Sequence, residues 1–184
     1  MILFTIFKKP NKLKKMKNYT LLIISCFILS CSVENDTKKS EIGYEIDENG
    51  TKYALMSGDL STVDVWAKYL EAHNSRDLEV IAGMNFDDIK IYAPDGNIIE
   101  GSDAHIGFLS DWFNNNSPNW KTHYMIANEL TKGNELEQWV TSCHEMTLTV
   151  EGNTIKVNQI HDAQIVDGKI KKFYVNERVL AKTE

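Results

Sequence analysis

Cysteine is scarce in this chain of 184 residues, which has only Cys26, Cys31 and Cys143. One cysteine remains beyond position 31, and a single cysteine cannot form an internal disulfide. We therefore expect the fold to depend on its hydrophobic core, even in an oxidising compartment. The length suits one domain of ordinary size in addition to a targeting segment.

Acidic residues are absent from the first 30 positions, which hold six of the 20 basic residues. Downstream of Cys31, 14 basic residues face 26 acidic residues, which gives that part of the chain a net charge of −12. A surface of this sign repels phosphate backbones, because it lacks the basic stripe that neutralises them. Nucleic acid is therefore not expected as a partner.

The longest apolar run, residues 21–29, is about half of the roughly 20 residues that a membrane-spanning helix needs. Lysines, the apolar run and Ser30-Cys31 follow one another in the order that predicts a signal peptide over residues 1–30. The run ends Ile28-Leu29-Ser30-Cys31, which resembles the lipobox of bacterial lipoproteins. This resemblance implies lipid on Cys31 and a place in the bacterial cell envelope, for which we favour the outer membrane and leave the leaflet open. Met16 begins a compact signal peptide, so we expect translation to start there rather than at Met1.

The chain beyond Cys31 divides into a polar tether over residues 31–59, with a hairpin possible around Glu48-Asn49-Gly50, and a domain over residues 60–184. Ser61 and Asp64 have the spacing of a capping box at the start of a first helix. The later pattern alternates with a period of two, and its short connections require antiparallel neighbours. The elements predicted after the first helix are a helix over 77–84, a hairpin over 89–100, a helix from Ser102, and strands over 119–130, 135–150, 154–166 and 169–179.

This order resembles the nuclear transport factor 2-like superfamily, particularly its SnoaL-like branch, over residues 61–180. The residues that carry the resemblance are Trp66 and Tyr69, Asn74-Ser75-Arg76-Asp77, Glu100-Gly101-Ser102, Trp112-Phe113, His161-Asp162 and Asp167-Gly168-Lys169-Ile170. The resemblance implies an α+β cone, in which a strongly curved, mostly antiparallel sheet wraps around about three helices. It also implies a pocket at the open end and an outer sheet face used for dimerisation, so we expect a homodimer.

Strand parity separates the second long strand into two faces. Val140, Met146, Leu148 and Val150 are predicted to face the core, whereas Trp139 and Cys143 are predicted to face outward with several threonines. The same argument directs several polar and aromatic side chains inward. The resulting pocket candidates are Trp66, Tyr69, His73, Trp120, Tyr124, Ser142, His144 and His161. Such a lining suits a small, partly apolar ligand, although each residue is also consistent with a structural role in the core.

No catalytic residue is assigned from the sequence. Ketosteroid isomerases place an Asp base in an apolar pocket with a Tyr on the first helix; Tyr69 has that position, but parity directs Asp162 outward. Limonene-epoxide-hydrolase-like enzymes need an Asp-Arg-Asp set, and Arg76 and Arg178 are the only arginines. No metal or cofactor is expected, because no histidine pair or Cys-x-x-Cys has ligand spacing and no nucleotide motif is present.

We therefore favour an exported, lipid-anchored binding or accessory module of the cell envelope. The alternative is a SnoaL-like isomerase, cyclase or hydrolase that uses pocket His and Tyr residues with an unidentified carboxylate as general acid or base. A buried carboxylate in the pocket would favour the enzyme. A cone filled by side chains would favour a third reading, a structural interaction module.

Overall fold

The computed structural model describes residues 39–180, so the predictions about the signal peptide, Cys31 and Met16 lie outside the described residues. The described part contains three helices and eight strands. The helices are α1 (Ser61–Ser75), α2 (Leu78–Met84) and α3 (Ser102–Asn116). The strands are β1 (Glu41–Ile46), β2 (Lys52–Ser57), β3 (Asn85–Tyr92), β4 (Ile98–Glu100), β5 (Asn119–Lys132), β6 (Glu135–Val150), β7 (Asn153–Val166) and β8 (Lys169–Val179). The predicted order of helices and strands is confirmed.

All eight strands belong to one sheet in the order β1-β2-β5-β6-β7-β8-β3-β4. Strand β3 pairs with β8 in parallel, and the other neighbours pair in antiparallel fashion. The hairpin around Glu48-Asn49-Gly50 is present as β1 and β2, and β2 joins it to the sheet through β5. None of the described helices is long and apolar enough to span a membrane.

The core lies between the helices and the inner face of the sheet. On α1, Trp66, Tyr69 and Leu70 are buried together with His73, because the spacing of three and four residues places them on one side of the helix. On β6 the inward set is buried as predicted, except for Val150, which lies at the strand end and is 38% exposed. Apolar burial of this kind supplies most of the favourable free energy of folding.

The start of α1 differs from the predicted capping box. Leu60 occupies the N-cap and no side chain caps the helix there. Instead Asp59 lies one residue earlier, and its Oδ1 accepts the backbone N–H of Ser61 at 2.8 Å. Helix α3 begins after Gly101, whose φ of 91° is a conformation that favours glycine.

A β-bulge interrupts the pairing of β5 with β6 between Thr122 and Tyr124. Thr122 pairs with His144, whereas Tyr124 pairs with the adjacent Cys143, so one additional residue is accommodated on β5. An extra residue reverses the parity of every side chain that follows it. The residues of β5 after the bulge therefore face opposite to the sequence prediction.

Candidate functional site

A cavity of about 480 Å³ lies between α1, α3 and the inner face of the sheet. Its mouth is formed by the turn that connects β3 and β4, by Glu177, and by Phe108, which is 47% exposed. Its deeper walls are mainly aromatic and aliphatic, with a few polar side chains. The deeper lining includes Trp66, Tyr69, His73, His105, Leu109, Trp120, Met146, Gln159, His161 and Phe173.

The structure brings five of the eight pocket candidates to this cavity, namely Trp66, Tyr69, His73, Trp120 and His161. Ser142 and His144 are completely buried beside it rather than in its lining. Ser142 Oγ accepts a hydrogen bond of 2.8 Å from Trp66 Nε1 and lies 2.8 Å from His144 Nε2. These two residues therefore hold the indole of Trp66 in place from behind the cavity wall.

Tyr124 does not belong to the cavity, and its predicted inward orientation is wrong. Its side chain is 46% exposed, and its strand partner is Cys143 on the outward set of β6. The cause is the bulge on β5, which Trp120 precedes and Tyr124 follows. Because Trp120 lies before the extra residue, it keeps the predicted inward orientation.

One polar network connects the cavity mouth to its interior. Gln159 donates from Nε2 to Glu177 Oε2 at 2.7 Å, and its Oε1 accepts from Trp120 Nε1 at 2.8 Å. His161 Nε2 lies 3.0 Å from the same Oε1. An indole can only donate and a carboxylate can only accept, so these partners fix the orientation of the Gln159 amide.

A second polar network lies deeper, between α1 and α3. The Tyr69 hydroxyl donates to Asn85 Oδ1 at 2.6 Å. Asn85 Nδ2 lies 3.2 Å from Ser102 Oγ and 3.3 Å from His105 Nδ1. His73 Nδ1 lies 2.8 Å from the backbone oxygen of Tyr69. These contacts hold two imidazole rings, from His73 and His105, with their centroids 5.9 Å apart.

Burial keeps the histidines of the cavity region uncharged near neutral pH. Desolvation lowers the pKa of His73 to about 4 and that of His105 to about 3. Desolvation likewise lowers the pKa of His144 to about 4 and holds the pKa of His161 well below its ordinary value. Burial also raises the pKa of Tyr69 well above its usual range. The deep polar groups are therefore neutral donors and acceptors.

Carboxylates are confined to the mouth of the cavity. Asp95 and Glu177 line it, and both side chains are exposed. The backbone N–H of Asn97 lowers the pKa of Asp95. Asp162 faces the outer side of the sheet, as predicted, where Thr141 Oγ1 donates to it at 2.9 Å and burial raises its pKa. Within residues 39–180, no buried Asp or Glu lines the cavity.

The outer face of the sheet carries a separate, more polar groove of about 460 Å³ beside the β1–β2 hairpin. Trp139 lies there and is only 8% exposed. Its ring stacks on Tyr174 with centroids 6.3 Å apart, and the Lys172 ammonium lies 5.1 Å from the ring centroid. Trp139 therefore faces outward, as predicted, but residues of the same chain cover most of its ring.

Two residues of the cavity were missed by the sequence interpretation, although the sequence contained a signal for each. His105 precedes Leu109 by four residues and therefore shares the inward stripe of α3. Gln159 lies two residues before His161 on β7 and shares its parity. Asn85 had no such signal, because its role depends on where the short helix α2 ends. In the described part of the chain, no group of three His, Cys, Asp or Glu side chains is arranged to hold a metal ion.

Comparison with known proteins gives structural matches only. No family model and no curated protein matches the sequence. An LEH-like epoxide hydrolase from M. tuberculosis has a TM-score of 0.53 at 14% identity, over 64% of this chain and 82% of that one. A putative SnoaL-like polyketide cyclase from Shewanella denitrificans has a TM-score of 0.54 at 11% identity, over 65% and 92%. The chain has the nuclear transport factor 2-like fold.

A putative ketosteroid isomerase from Kribbella flavida is also similar, with a TM-score of 0.53 at 13% identity, over 70% of this chain and 85% of that one. At such low identity the likeness extends to the fold alone. The nuclear transport factor 2-like fold hosts unrelated chemistries, so the activity must be argued from the side chains of this cavity.

Proposed function

We propose that this chain binds a small, uncharged, partly apolar molecule in the cavity, as a binding or accessory module of the bacterial cell envelope. The observation that carries the proposal is the lining itself: aromatic walls, with buried polar groups that are all neutral. A pocket of this size and character is typical of small-molecule sites, which combine an apolar lining with a few placed polar groups. The existence of the cavity also disfavours a purely structural module.

The electrostatics favour an uncharged ligand over an ion. A buried ion needs an opposite charge or several hydrogen bonds, and the deep wall offers only neutral imidazole, amide and indole groups. The acidic side chains Asp95 and Glu177 at the mouth repel an anion further. A cation would find carboxylates only where the cavity opens to solvent.

Isothermal titration calorimetry with 2-naphthol and naphthalene-2-sulfonate tests this proposal. The two probes share a bicyclic apolar body, but only the sulfonate is charged at neutral pH. We expect saturable binding of 2-naphthol and no binding of the sulfonate. Equal affinity for the two probes, or no heat from 2-naphthol, would contradict the proposal.

A pair of matched variants locates the binding site. Leu109→Trp places a large ring in the cavity lining, whereas Leu136→Trp makes the same change at a residue that is 55% exposed and outside the cavity. Binding of 2-naphthol should be weakened severalfold or more in the first variant and unchanged in the second. Thermal unfolding of both variants serves as the control for folding.

One observation favours an enzyme as the second candidate. Glu177 reaches His161 through Gln159, which joins a carboxylate to a cavity histidine. Glu177 is exposed, however, whereas general bases in such pockets are usually buried carboxylates. If the chain is an enzyme, molecules bound by the wild type should be recovered chemically altered, and Glu177→Gln should leave them unaltered. Unaltered recovery from both forms supports the binding module.

The lipid anchor at Cys31 is part of the same proposal and rests on the sequence. Several attached acyl chains would hold the domain durably, since each buried methylene contributes about 0.8 kcal/mol. Labelled fatty acid should be incorporated into the wild type and not into Cys31→Ala. Equal labelling of the two would refute the anchor.

We also propose a homodimer that forms through the outer face of the sheet. Tyr124 and Ile126, which follow the bulge on β5, are 46% and 48% exposed on that face. Two large apolar side chains at alternate strand positions form a patch that a second copy could cover. Their exposure supports this proposal, and sedimentation of the purified protein tests it.

A further inference from the structure

The groove on the outer face of the sheet is lined by two oppositely charged side chains, Asp162 and Lys172, that have no ion-pair partner. In the described part of the chain, neither of them forms a salt bridge. The other ammonium of the groove, that of Lys132, lies 2.7 Å from Glu45 and 3.5 Å from Glu137. The groove therefore presents one carboxylate and one ammonium that other side chains do not neutralise.

Strand register places Asp162 and Lys172 at neighbouring positions of one face. Asp162 lies opposite Tyr174 in the pairing of β7 with β8, and Lys172 precedes Tyr174 by two residues. Diagonal neighbours of this kind lie about 7–8 Å apart, within reach of long side chains. The Lys172 ammonium instead lies 5.1 Å from the ring centroid of Trp139. The two charges thus border the same groove without contacting each other.

Neighbouring side chains hold Asp162 in a partly buried position. Thr141 Oγ1 donates to Asp162 Oδ1 at 2.9 Å, and Asn128 Nδ2 donates to Thr141 Oγ1 at 3.2 Å. Burial raises the pKa of Asp162, and the negative charge of Glu45 adds to this effect. A positively charged ligand would stabilise this carboxylate, because an opposite charge nearby favours the ionised form. The site therefore suits an ammonium group.

Apolar surface borders the two charges. Leu55, Leu130 and Tyr44 line the same groove. The rings of Trp139 and Tyr174 stack beside it with centroids 6.3 Å apart. Aromatic and aliphatic walls of this kind favour an apolar side chain on the ligand.

We propose that the groove binds an α-amino acid with an apolar side chain, whose ammonium pairs with Asp162 and whose carboxylate pairs with Lys172. The two charged groups of an amino acid are joined through one carbon, over about 3 Å of bonds, which suits charges at neighbouring sheet positions. A simple cation would leave Lys172 unpaired, and a simple anion would leave Asp162 unpaired. This site is separate from the cavity between α1 and α3.

Isothermal titration calorimetry with three probes tests the proposal. L-phenylalanine carries both charges, 2-phenylethylamine lacks the carboxylate and 3-phenylpropionate lacks the ammonium. Hydrogen bonds to charged groups are among the stronger ones, so each analogue should bind on the order of tenfold more weakly than L-phenylalanine. No binding of L-phenylalanine, or equal binding of either analogue, would overturn the proposal.

Matched variants locate the two contacts. Asp162→Asn and Lys172→Met each remove one charge from the groove, and each should weaken L-phenylalanine on the order of tenfold. Asp167→Asn and Lys171→Met make the same changes outside the groove and should leave its affinity unchanged. Equal weakening in the groove variants and their controls would show an effect of net charge alone and overturn the assignment.

Two further measurements separate the groove from the cavity. Leu109→Trp alters the cavity lining and should leave L-phenylalanine binding unchanged, whereas loss of binding would place the ligand in the cavity and overturn the proposal. Carboxyl NMR should show a lower pKa for Asp162 when L-phenylalanine is bound, and an unchanged pKa would contradict the ammonium contact. If 2-naphthol binds and L-phenylalanine does not, the groove proposal falls while the proposed function of the cavity stands.

Discussion

Acidification from neutral pH to about pH 5 should strongly destabilise the domain, because its cavity histidines are buried without charge. The ordinary histidine pKa is 6.5, and in the folded state that of His73 is about 4 and that of His105 about 3. Between these values the unfolded chain binds more protons than the folded chain, so the free energy of unfolding falls as the pH falls from about 6.5 toward 4. Above pH 7 both states are neutral and the effect is absent.

The magnitude follows from the size of the shift. One pKa unit corresponds to about 1.4 kcal/mol, so each such histidine should remove roughly 2 kcal/mol of stability at about pH 5. Several buried histidines together would approach the total of about 5–15 kcal/mol that is typical of a domain. Asp162 acts in the opposite direction, because burial raises its pKa and its protonation favours the folded state.

Urea unfolding followed by tryptophan fluorescence at a series of pH values measures this dependence. His73→Phe should reduce the slope of stability against pH by up to about 1.4 kcal/mol per unit between about pH 6.5 and 4. A free energy of unfolding that stays constant from pH 7 to 5 would refute the reasoning.

Three further predictions concern the framework and the outer face. Gly101→Ala should destabilise the domain by about 1–3 kcal/mol, because Gly101 has a φ of 91°. Gly107→Ala, on the exposed side of α3, should stabilise the domain by up to about 1 kcal/mol in the same urea denaturation assay. If the two substitutions change the free energy of unfolding equally, the argument from the backbone conformation of Gly101 is contradicted. Trp66→Phe removes the hydrogen bond to Ser142 and should lower the free energy of unfolding by about 1–3 kcal/mol. In a double-mutant cycle, adding Ser142→Ala should recover part of this loss of stability. If the effects of the two substitutions simply add, the hydrogen bond contributes nothing to stability. Tyr124→Asp should convert the proposed homodimer into a monomer on sedimentation, and an unchanged mass would exclude the β5 patch from the interface.

The sequence predicts the elements of this fold well because periodicity records which face of each element is buried. The four long strands, the hairpin of β3 and β4 and the apolar stripe of α1 all follow from that pattern. Parity also placed His161 inward and Asp162 outward, and the structure agrees. Local sequence patterns are sufficient to predict which face of an element is buried wherever that element packs against one continuous core.

The pattern fails where one extra residue or a distant partner decides the outcome. The bulge before Tyr124 leaves no apolar signature, so strand parity gave this residue the wrong face. The capping box failed because Asp59, rather than Ser61, supplies the side chain at the start of α1. The role of Asn85 depends on its contacts with Tyr69 and His105, which lie far from it in sequence and outside any local window.

A crystal structure of the protein with 2-naphthol would test the central claim most directly. We predict density for one probe molecule in the cavity between α1 and α3, in contact with the aromatic lining. An unoccupied cavity in crystals that hold the probe on the outer face beside Trp139 would contradict the account.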